Sequence, residues 1–343
     1  VADARIDGYD TVVIESPSCE LQATFVPAAG MVCCSLRHRR VELLAQRAGV
    51  EAYAQRGSTM GIPLLYPWAN RLAGLRYPGP DGEKVRLDPA DPLLKFDQND
   101  LPIHGAIAGG LPWELDERPR GGAAAVRARL DWRSSELLAI FPFPHTVHVE
   151  ARIEGETTLA IETSVHADGP AQTGGPARTT GSRAPGAAPA PEVVPVSFGY
   201  HPYLTLPRSD RAGWTVELPV SRRLALDEHM IPTGGSEPLE RRRFRLAAGS
   251  WDDAYDGLLD PPVFRLSAGD DDVGLRISLE LRRGYTHAQL YAPASERFVC
   301  FEPMTAPTNA LLSRRDLRLL APGESFSAEY AISVQAGAAA SPE

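Results

Sequence analysis

The feature that most constrains this chain is a strict period-two alternation of apolar and polar side chains. Leu159, Ile161 and Val165 alternate with Thr158, Glu162, Ser164 and His166. Val147, Val149, Ala151 and Ile153 alternate with His148, Glu150, Arg152 and Glu154, and Leu275, Ile277, Leu279 and Leu281 alternate with Arg276, Ser278, Glu280 and Arg282. Phe326, Ala328, Tyr330, Ile332 and Val334 repeat the pattern near the end. A period of two turns one face of a strand to a core and the other to solvent or a second layer. Turn residues divide the runs: Glu154-Gly155-Glu156, Asp270-Asp271-Asp272 and Pro322-Gly323. No long helical periodicity competes, and Asn309 to Arg315 has room for only one or two helical turns. The pattern predicts an all-β chain, a large antiparallel β-sandwich, because the strand–helix alternation of a parallel sheet is missing.

Large all-β folds run past 200 residues as one unit, so the 343 residues are expected to form a single domain. One segment stands apart. Asp168 to Pro195 is nearly all Gly, Pro, Ala, Thr and Ser, and cannot bury enough apolar surface to offset its ordering entropy. It reads as a long mobile loop inside the domain, since strand-like sequence resumes on both sides. The formal net charge of -9 argues against nucleic acid and acidic membrane surfaces as partners. A neutral small molecule suits that balance, and an anionic one requires a local basic pocket. No apolar run approaches the ~18 residues of a membrane span. Cys19, Cys33, Cys34 and Cys300 have neither metal-ligand nor disulfide-framework spacing, and are expected to be buried free thiols in a reducing cytoplasm. The chain opens Val1-Ala2-Asp3-Ala4-Arg5, with no signal-peptide pattern and no initiator Met, which points to a few missing residues.

Five polar segments interrupt the strands, each beside Gly, Pro or an aromatic residue. They are Pro67-Trp68-Ala69-Asn70-Arg71-Leu72; Leu101-Pro102-Ile103-His104-Gly105; Ser197-Phe198-Gly199-Tyr200-His201-Pro202-Tyr203-Leu204; Trp251-Asp252-Asp253-Ala254-Tyr255; and Gln289-Leu290-Tyr291 leading to Cys300-Phe301-Glu302-Pro303. Singly, each has a plain structural reading: a hydrogen-bonded turn His, an acidic turn, a charge on a strand rim. Glu302, however, follows Phe298-Val299-Cys300-Phe301 and precedes Pro303. That context places it at the cap of a buried strand, where desolvation raises a carboxyl pKa toward the range of a useful general base. EF-hand, HExxH, GxSxG, P-loop and GxGxxG patterns are absent from the sequence, and no nucleophile stands beside a base. Carboxylate, two His, Arg and aromatics together suit carbohydrate, whose hydroxyls take the polar groups and whose C–H faces take the rings.

In this order the five segments resemble the aldose 1-epimerase (galactose mutarotase) family. Its NR motif matches Asn70-Arg71, its HG motif His104-Gly105, and its HxYF-like segment His201-Pro202-Tyr203-Leu204. The Asp of its D-[HD]-x-[FY] segment falls on Asp252 with Tyr255 as the aromatic, the Gln of Q-[FL]-Y on Gln289, and its C-terminal glutamate on Glu302. The resemblance spans roughly Val12 to Val334 and implies a β-supersandwich that interconverts the α and β anomers of a free aldohexose such as galactose or glucose. It implies Glu302 as general base and His201 as general acid. Asn70, Arg71, His104, Asp252 and Gln289 would bind the sugar, with no cofactor or metal. Asp253 replaces the His that many members carry after the Asp, so either acid can be the ligand. Pro202 resembles a branch that includes hexose-6-phosphate mutarotases. A phosphorylated sugar of this kind is the alternative substrate, and Arg76, Arg208, Arg222 and Arg223 are the cations available. A non-catalytic sugar-binding protein is the third reading, opposed by the intact Glu302 and His201.

Overall fold

The computed structural model describes residues 5–79, 82–106, 111–117, 121–169, 193–247, 249–268 and 274–336. The alternating runs form the long antiparallel strands their period predicts. His145–Glu154, Thr158–Ala167, Ser325–Ala336 and Leu275–Arg283 lie side by side at the centre of a nine-stranded sheet. Along His145–Glu154 buried and half-buried residues alternate without a break. An eight-stranded sheet runs Pro232–Pro238, Val220–Leu226, Trp251–Leu258, His287–Ala292, Val299–Met304, Gly199–Tyr200 and Leu64–Leu65, with Tyr203–Leu204 also paired to Val299–Met304. The two sheets meet through aromatic side chains. Phe264 packs on Phe301 with ring centroids 5.3 Å apart, Tyr200 on Tyr330 at 5.0 Å, and the Thr163 and Tyr200 hydroxyls bond across at 2.6 Å. The chain is an all-β antiparallel sandwich.

Period two decides what the other face of the eight-stranded sheet carries. In Val299–Met304 every residue is buried, with Val299 and Phe301 in the sandwich core. Cys300, Glu302 and Met304 therefore point the opposite way, and Cys300 packs with Tyr203 and Phe298 in a separate cluster. Glu302 does not cap its strand, as its sequence context led us to expect. It sits inside it, opposite Gln289 in register, because Met304 still pairs with His287 beyond Pro303. A four-stranded N-terminal sheet, Val12–Glu15 to Val41–Glu42, adds a second apolar cluster on that side through Val26, Val32 and Met304.

The sequence reading overlooked two short helices. Gly49–Arg56 has no capping side chain of its own. Its start is held by Asp7, whose carboxylate accepts from Val50 N at 2.8 Å, a partner more than 40 residues away that no local motif reveals. Ser135–Ile140 starts on a local cap from Ser134. Of the one or two helical turns expected between Asn309 and Arg315, one is present as Ala310–Ser313. Cys33, Cys34 and Cys300 are buried free thiols, but Cys19 is exposed, since it occupies a left-handed turn position (φ 57°) outside the strands. Most of the Asp168–Pro195 segment lies outside the described residues. Its end is overestimated, because Val194–Val196 pairs with Arg318–Leu320. Among the described residues no helix is long and apolar enough to cross a membrane.

The inter-sheet aromatic contact gives a direct test of the sandwich core. Phe264→Ala should cost about 3–5 kcal/mol by urea unfolding, the usual penalty for truncating a buried Phe. Leu319→Ala, at a half-exposed site, should stay within about 0.5 kcal/mol of wild type.

Candidate active site

On the sheet face turned away from the sandwich core lies a polar cleft of about 310 Å³. His201 and Glu302 are brought together by neighbouring strands. Gly199 lies against the Val299–Met304 strand so closely that a Cβ there would sit 2.6 Å from the Pro303 carbonyl oxygen. Two residues on, His201 Nε2 lies 3.1 Å from Glu302 Oε1, with the two side chains only 6% and 3% exposed. The phenol ring of Tyr203 stacks beneath the imidazole at 4.5 Å. Burial pushes the Glu302 carboxyl well above its usual range, and neighbouring Asp252 adds to this. Burial also lowers the His201 imidazole, aided by the positive fields of Arg47 and Lys95. Both displacements favour the uncharged forms, so the pair holds one shared proton.

The other wall comes from loops. His104 meets His201 edge to face at 5.5 Å, and burial keeps its imidazole neutral. Asn70, His104 and Gly105 all have left-handed backbone conformations, with φ of 57°, 66° and 71°. The His104 N–H donates to the Asn70 carbonyl at 2.9 Å, which ties the two loops together. Gly105 explains the spacing of the HG pair. A Cβ there would lie 2.2 Å from the Tyr66 carbonyl oxygen, so no larger residue lets His104 reach the cleft.

A chain of charged contacts fixes the far end. Arg71 Nε donates to Asp97 at 2.6 Å, Arg71 Nη1 donates to Asn70 Oδ1 at 3.0 Å, and Arg71 Nη2 lies 3.9 Å from Asp252. Against the upward push of burial, hydrogen bonds from Arg71 and from the Leu101 and Asn99 N–H groups hold Asp97 below the ordinary carboxylate range. Asp252 lines the cleft, whereas Asp253 turns away to Arg223 at 3.6 Å, which separates the two adjacent acids. Gln289 stands one layer back and donates to Asp252 at 2.5 Å. Four buried polar atoms in this group, Glu302 Oε2, His104 Nδ1, His201 Nδ1 and Gln289 Oε1, have no hydrogen-bond partner among the described residues. Orphaned buried polar atoms are rare in folded proteins, and such a cluster marks a place built for a polar ligand. Among the described residues no three His, Cys, Asp or Glu converge on a metal position.

All seven residues singled out in the sequence thus fall in or directly behind one cleft. Sequence reasoning missed Arg47, Lys95 and Asp97, and quoted Tyr291 only within a segment; all four also line the cleft. The first three come from irregular loops. Asp97 sits in Phe96-Asp97-Gln98-Asn99-Asp100, which carries only the signal of a polar turn.

Fold and cleft together define an antiparallel β-sandwich protein with a buried carboxyl–imidazole pair in a polar cleft. The sequence matches the aldose 1-epimerase family over residues 25–174 and 187–333, and the chain belongs to that family. The unmatched stretch between falls inside the Ala/Pro-rich segment. No protein of curated function matches the sequence. The fold is shared with a Synechocystis protein (22% identity, TM-score 0.72, 98% of this chain and 99% of that one). It is shared also with a galactose mutarotase-like protein from Clostridium acetobutylicum (18%, 0.73, 92% and 93%). The galactose 1-epimerase of Lactobacillus acidophilus is similar over 98% of both chains, at 15% identity and TM-score 0.69. These likenesses identify the galactose mutarotase-like sandwich.

Gly105→Ala should destabilise the protein by about 1–3 kcal/mol through its strained backbone and the clash with Tyr66. Urea unfolding measures that loss.

Proposed function

We propose that this protein is an aldose 1-epimerase that opens and recloses the pyranose ring of an aldohexose, working as one domain. The observation that carries the reading is the desolvated His201–Glu302 pair. A hemiacetal has two oxygens on one carbon, O1 and the ring oxygen, and opening it requires a proton to leave one as another reaches the second. Only side chains that are already neighbours can serve both. With the shared proton on His201, Glu302 takes the O1 proton while His201 protonates the ring oxygen. The C1–O5 bond breaks and the C1=O1 bond forms. Glu302 is then protonated and His201 neutral, the distribution that burial favours. Rotation about C1–C2 and the reverse transfers on the other face give the second anomer. Asn70, Arg71, His104 and Asp252 hold hydroxyls, and Gln289 acts by orienting Asp252. A purely sugar-binding role would not need a proton-sharing pair in the cleft.

Polarimetry on freshly dissolved α-glucose and α-galactose tests the reading directly. Wild-type protein should accelerate the approach to anomeric equilibrium over buffer. Glu302→Gln should lower the rate about 10²–10⁴-fold, the usual worth of a general base, with the fold intact. His201→Asn should do the same, and the double variant should lose less than the product of the two. Unchanged mutarotation in Glu302→Gln would remove that residue from the mechanism.

The pH profile has a defined shape, because the active pair carries one proton. At low pH a second proton binds and activity falls. Burial lowers His201, so this limb lies below the ordinary imidazole value of 6.5. At high pH the shared proton is lost. Burial raises Glu302, so this limb lies above the ordinary carboxyl value of 4.5. The expected kcat/KM curve is a bell, and in Glu302→Gln the acid limb should vanish, leaving a residual rate that only falls as pH rises and His201 gives up the proton it delivers to the ring oxygen.

A further inference from the structure

We infer that Tyr203 is the positioning residue for His201, its ring holding the imidazole plane so that Nε2 stays aimed at Glu302. The inference rests on the epimerase reading and deepens it. An imidazole that moves a proton is usually held by a hydrogen bond at its second nitrogen. His201 lacks that support. Its Nδ1 is buried and has no hydrogen-bond partner among the described residues. The backbone does not replace it. The His201 N–H donates to the Pro63 carbonyl at 3.2 Å, which fixes the main chain and leaves the ring free about Cβ–Cγ. That torsion is broad and two-fold, so a neighbouring contact must choose the orientation.

Three rings meet the imidazole, and one of them lies flat on it. His104 and Tyr291 approach edge-on, at 5.5 and 5.7 Å with interplanar angles of 90° and 70°. Tyr203 is nearly parallel, at 4.5 Å and 18°. Turning the imidazole about Cβ–Cγ would drive its edge into the phenol, so the stack fixes the plane. The sequence builds this stack locally. Residues two apart in extended chain share a face, so His201 and Tyr203 project together while Tyr200 and Leu204 enter the sandwich core. Pro202 between them keeps His201 out of the helical conformation.

Tyr203 can serve as a support because it is itself held on several sides. It pairs with Cys300, its N–H donates to the Gly61 carbonyl at 2.8 Å, and its ring meets Phe298 edge to face at 4.8 Å. Its hydroxyl lies 2.5 Å from Thr59 Oγ1 and accepts from Arg47 Nη1 at 3.1 Å. Arg47 and Thr59 flank the helix Gly49–Arg56, and Arg47 Nη1 also donates to the Thr59 carbonyl at 3.4 Å. The hydroxyl is thus engaged by the protein, and Tyr203 acts on the reaction through His201.

The test compares Tyr203→Leu, which removes the flat ring, with Tyr203→Phe, which keeps it. Circular dichroism and urea unfolding check the fold, and polarimetry on glucose and galactose gives kcat and KM. NMR of ring-labelled histidine reports the His201 imidazole, with its signal assigned by His201→Asn. Tyr203→Leu should lower kcat about 10–100-fold, the scale of a small misplacement of a reacting group, with KM within about threefold of wild type. Its His201 signal should split or broaden as the ring takes a second orientation. Tyr203→Phe should recover most of the lost kcat and the single sharp signal. Loss of packing alone would lower stability and leave kcat of the folded fraction unchanged. Full kcat in folded Tyr203→Leu overturns the assignment. So does a loss in Tyr203→Phe as large as in Tyr203→Leu, or a rise in KM at constant kcat. If Tyr203→Leu unfolds, the adaptable side chain of Tyr203→Met takes its place. Exchange of the wild-type His201 ring between two orientations overturns the assignment without any variant. No turnover of either sugar by wild type strikes the epimerase reading, and the His201 signal then still decides the role of Tyr203.

Discussion

The contact on which the site depends is the 3.1 Å approach of His201 to Glu302 on a sheet face closed off from water. A carboxyl and an imidazole in water would ionise independently near their ordinary values. Desolvation raises one and lowers the other, so a single proton belongs to both. Such a pair suits the proposed hemiacetal opening, because ring opening exchanges one proton for another without changing the total. The sandwich supplies it by strand geometry rather than by a flexible loop. Gly199 allows close strand approach, Tyr203 stacks beneath the imidazole, and Phe301 anchors the carboxyl-bearing strand in the core next to Phe264.

The same geometry makes the cleft costly. Unpartnered buried polar atoms each carry a desolvation penalty of about 1–3 kcal/mol. Four gather around the pair, along with the left-handed backbones of Asn70 and His104. Contacts elsewhere sustain that strain. The His104 N–H is bonded to Asn70, Ala106 N donates to the Tyr66 carbonyl at 2.8 Å, and Arg71 is clamped by Asp97. Strained or orphaned groups persist only where the surroundings over-determine them, and they concentrate where a ligand will satisfy them.

The fold was legible because a period of two is a global signal. Each alternating run from Val147 to Val334 became a paired strand, whatever its partner, since burying one face is enough to define it. The site residues on strands, Asp252, Gln289 and Glu302, shared that legibility, as did His201 in the short link between two strands, because all four stand in polar interruptions of apolar runs. Even the misplacement of Glu302 at a strand cap was local, since Pro303 looks like a terminator and the structure continues pairing through it. Arg47, Lys95 and Asp97 escaped for the opposite reason. They lie on irregular loops whose direction is set by contacts remote in sequence: Asp7 holds the helix after Arg47, and the Gly57 carbonyl at that helix's end receives Lys95. No window of neighbouring residues contains that information.

This division between strand and loop has a chemical counterpart. In the proposed reaction the chemistry at C1 is common to every aldose, and Glu302 rides on a paired strand with His201 in the two-residue link between two others, where a misplacement of an ångström would separate donor from acceptor. The rest of the sugar differs between substrates, and apart from Asp252 on its strand the residues proposed to face it, Asn70, Arg71 and His104, come from loops that can change without disturbing a ladder of backbone hydrogen bonds. Arg47 shows how the two are coupled. Its stacking on Tyr203 joins the loop to the ring beneath His201, and its charge helps keep that imidazole neutral.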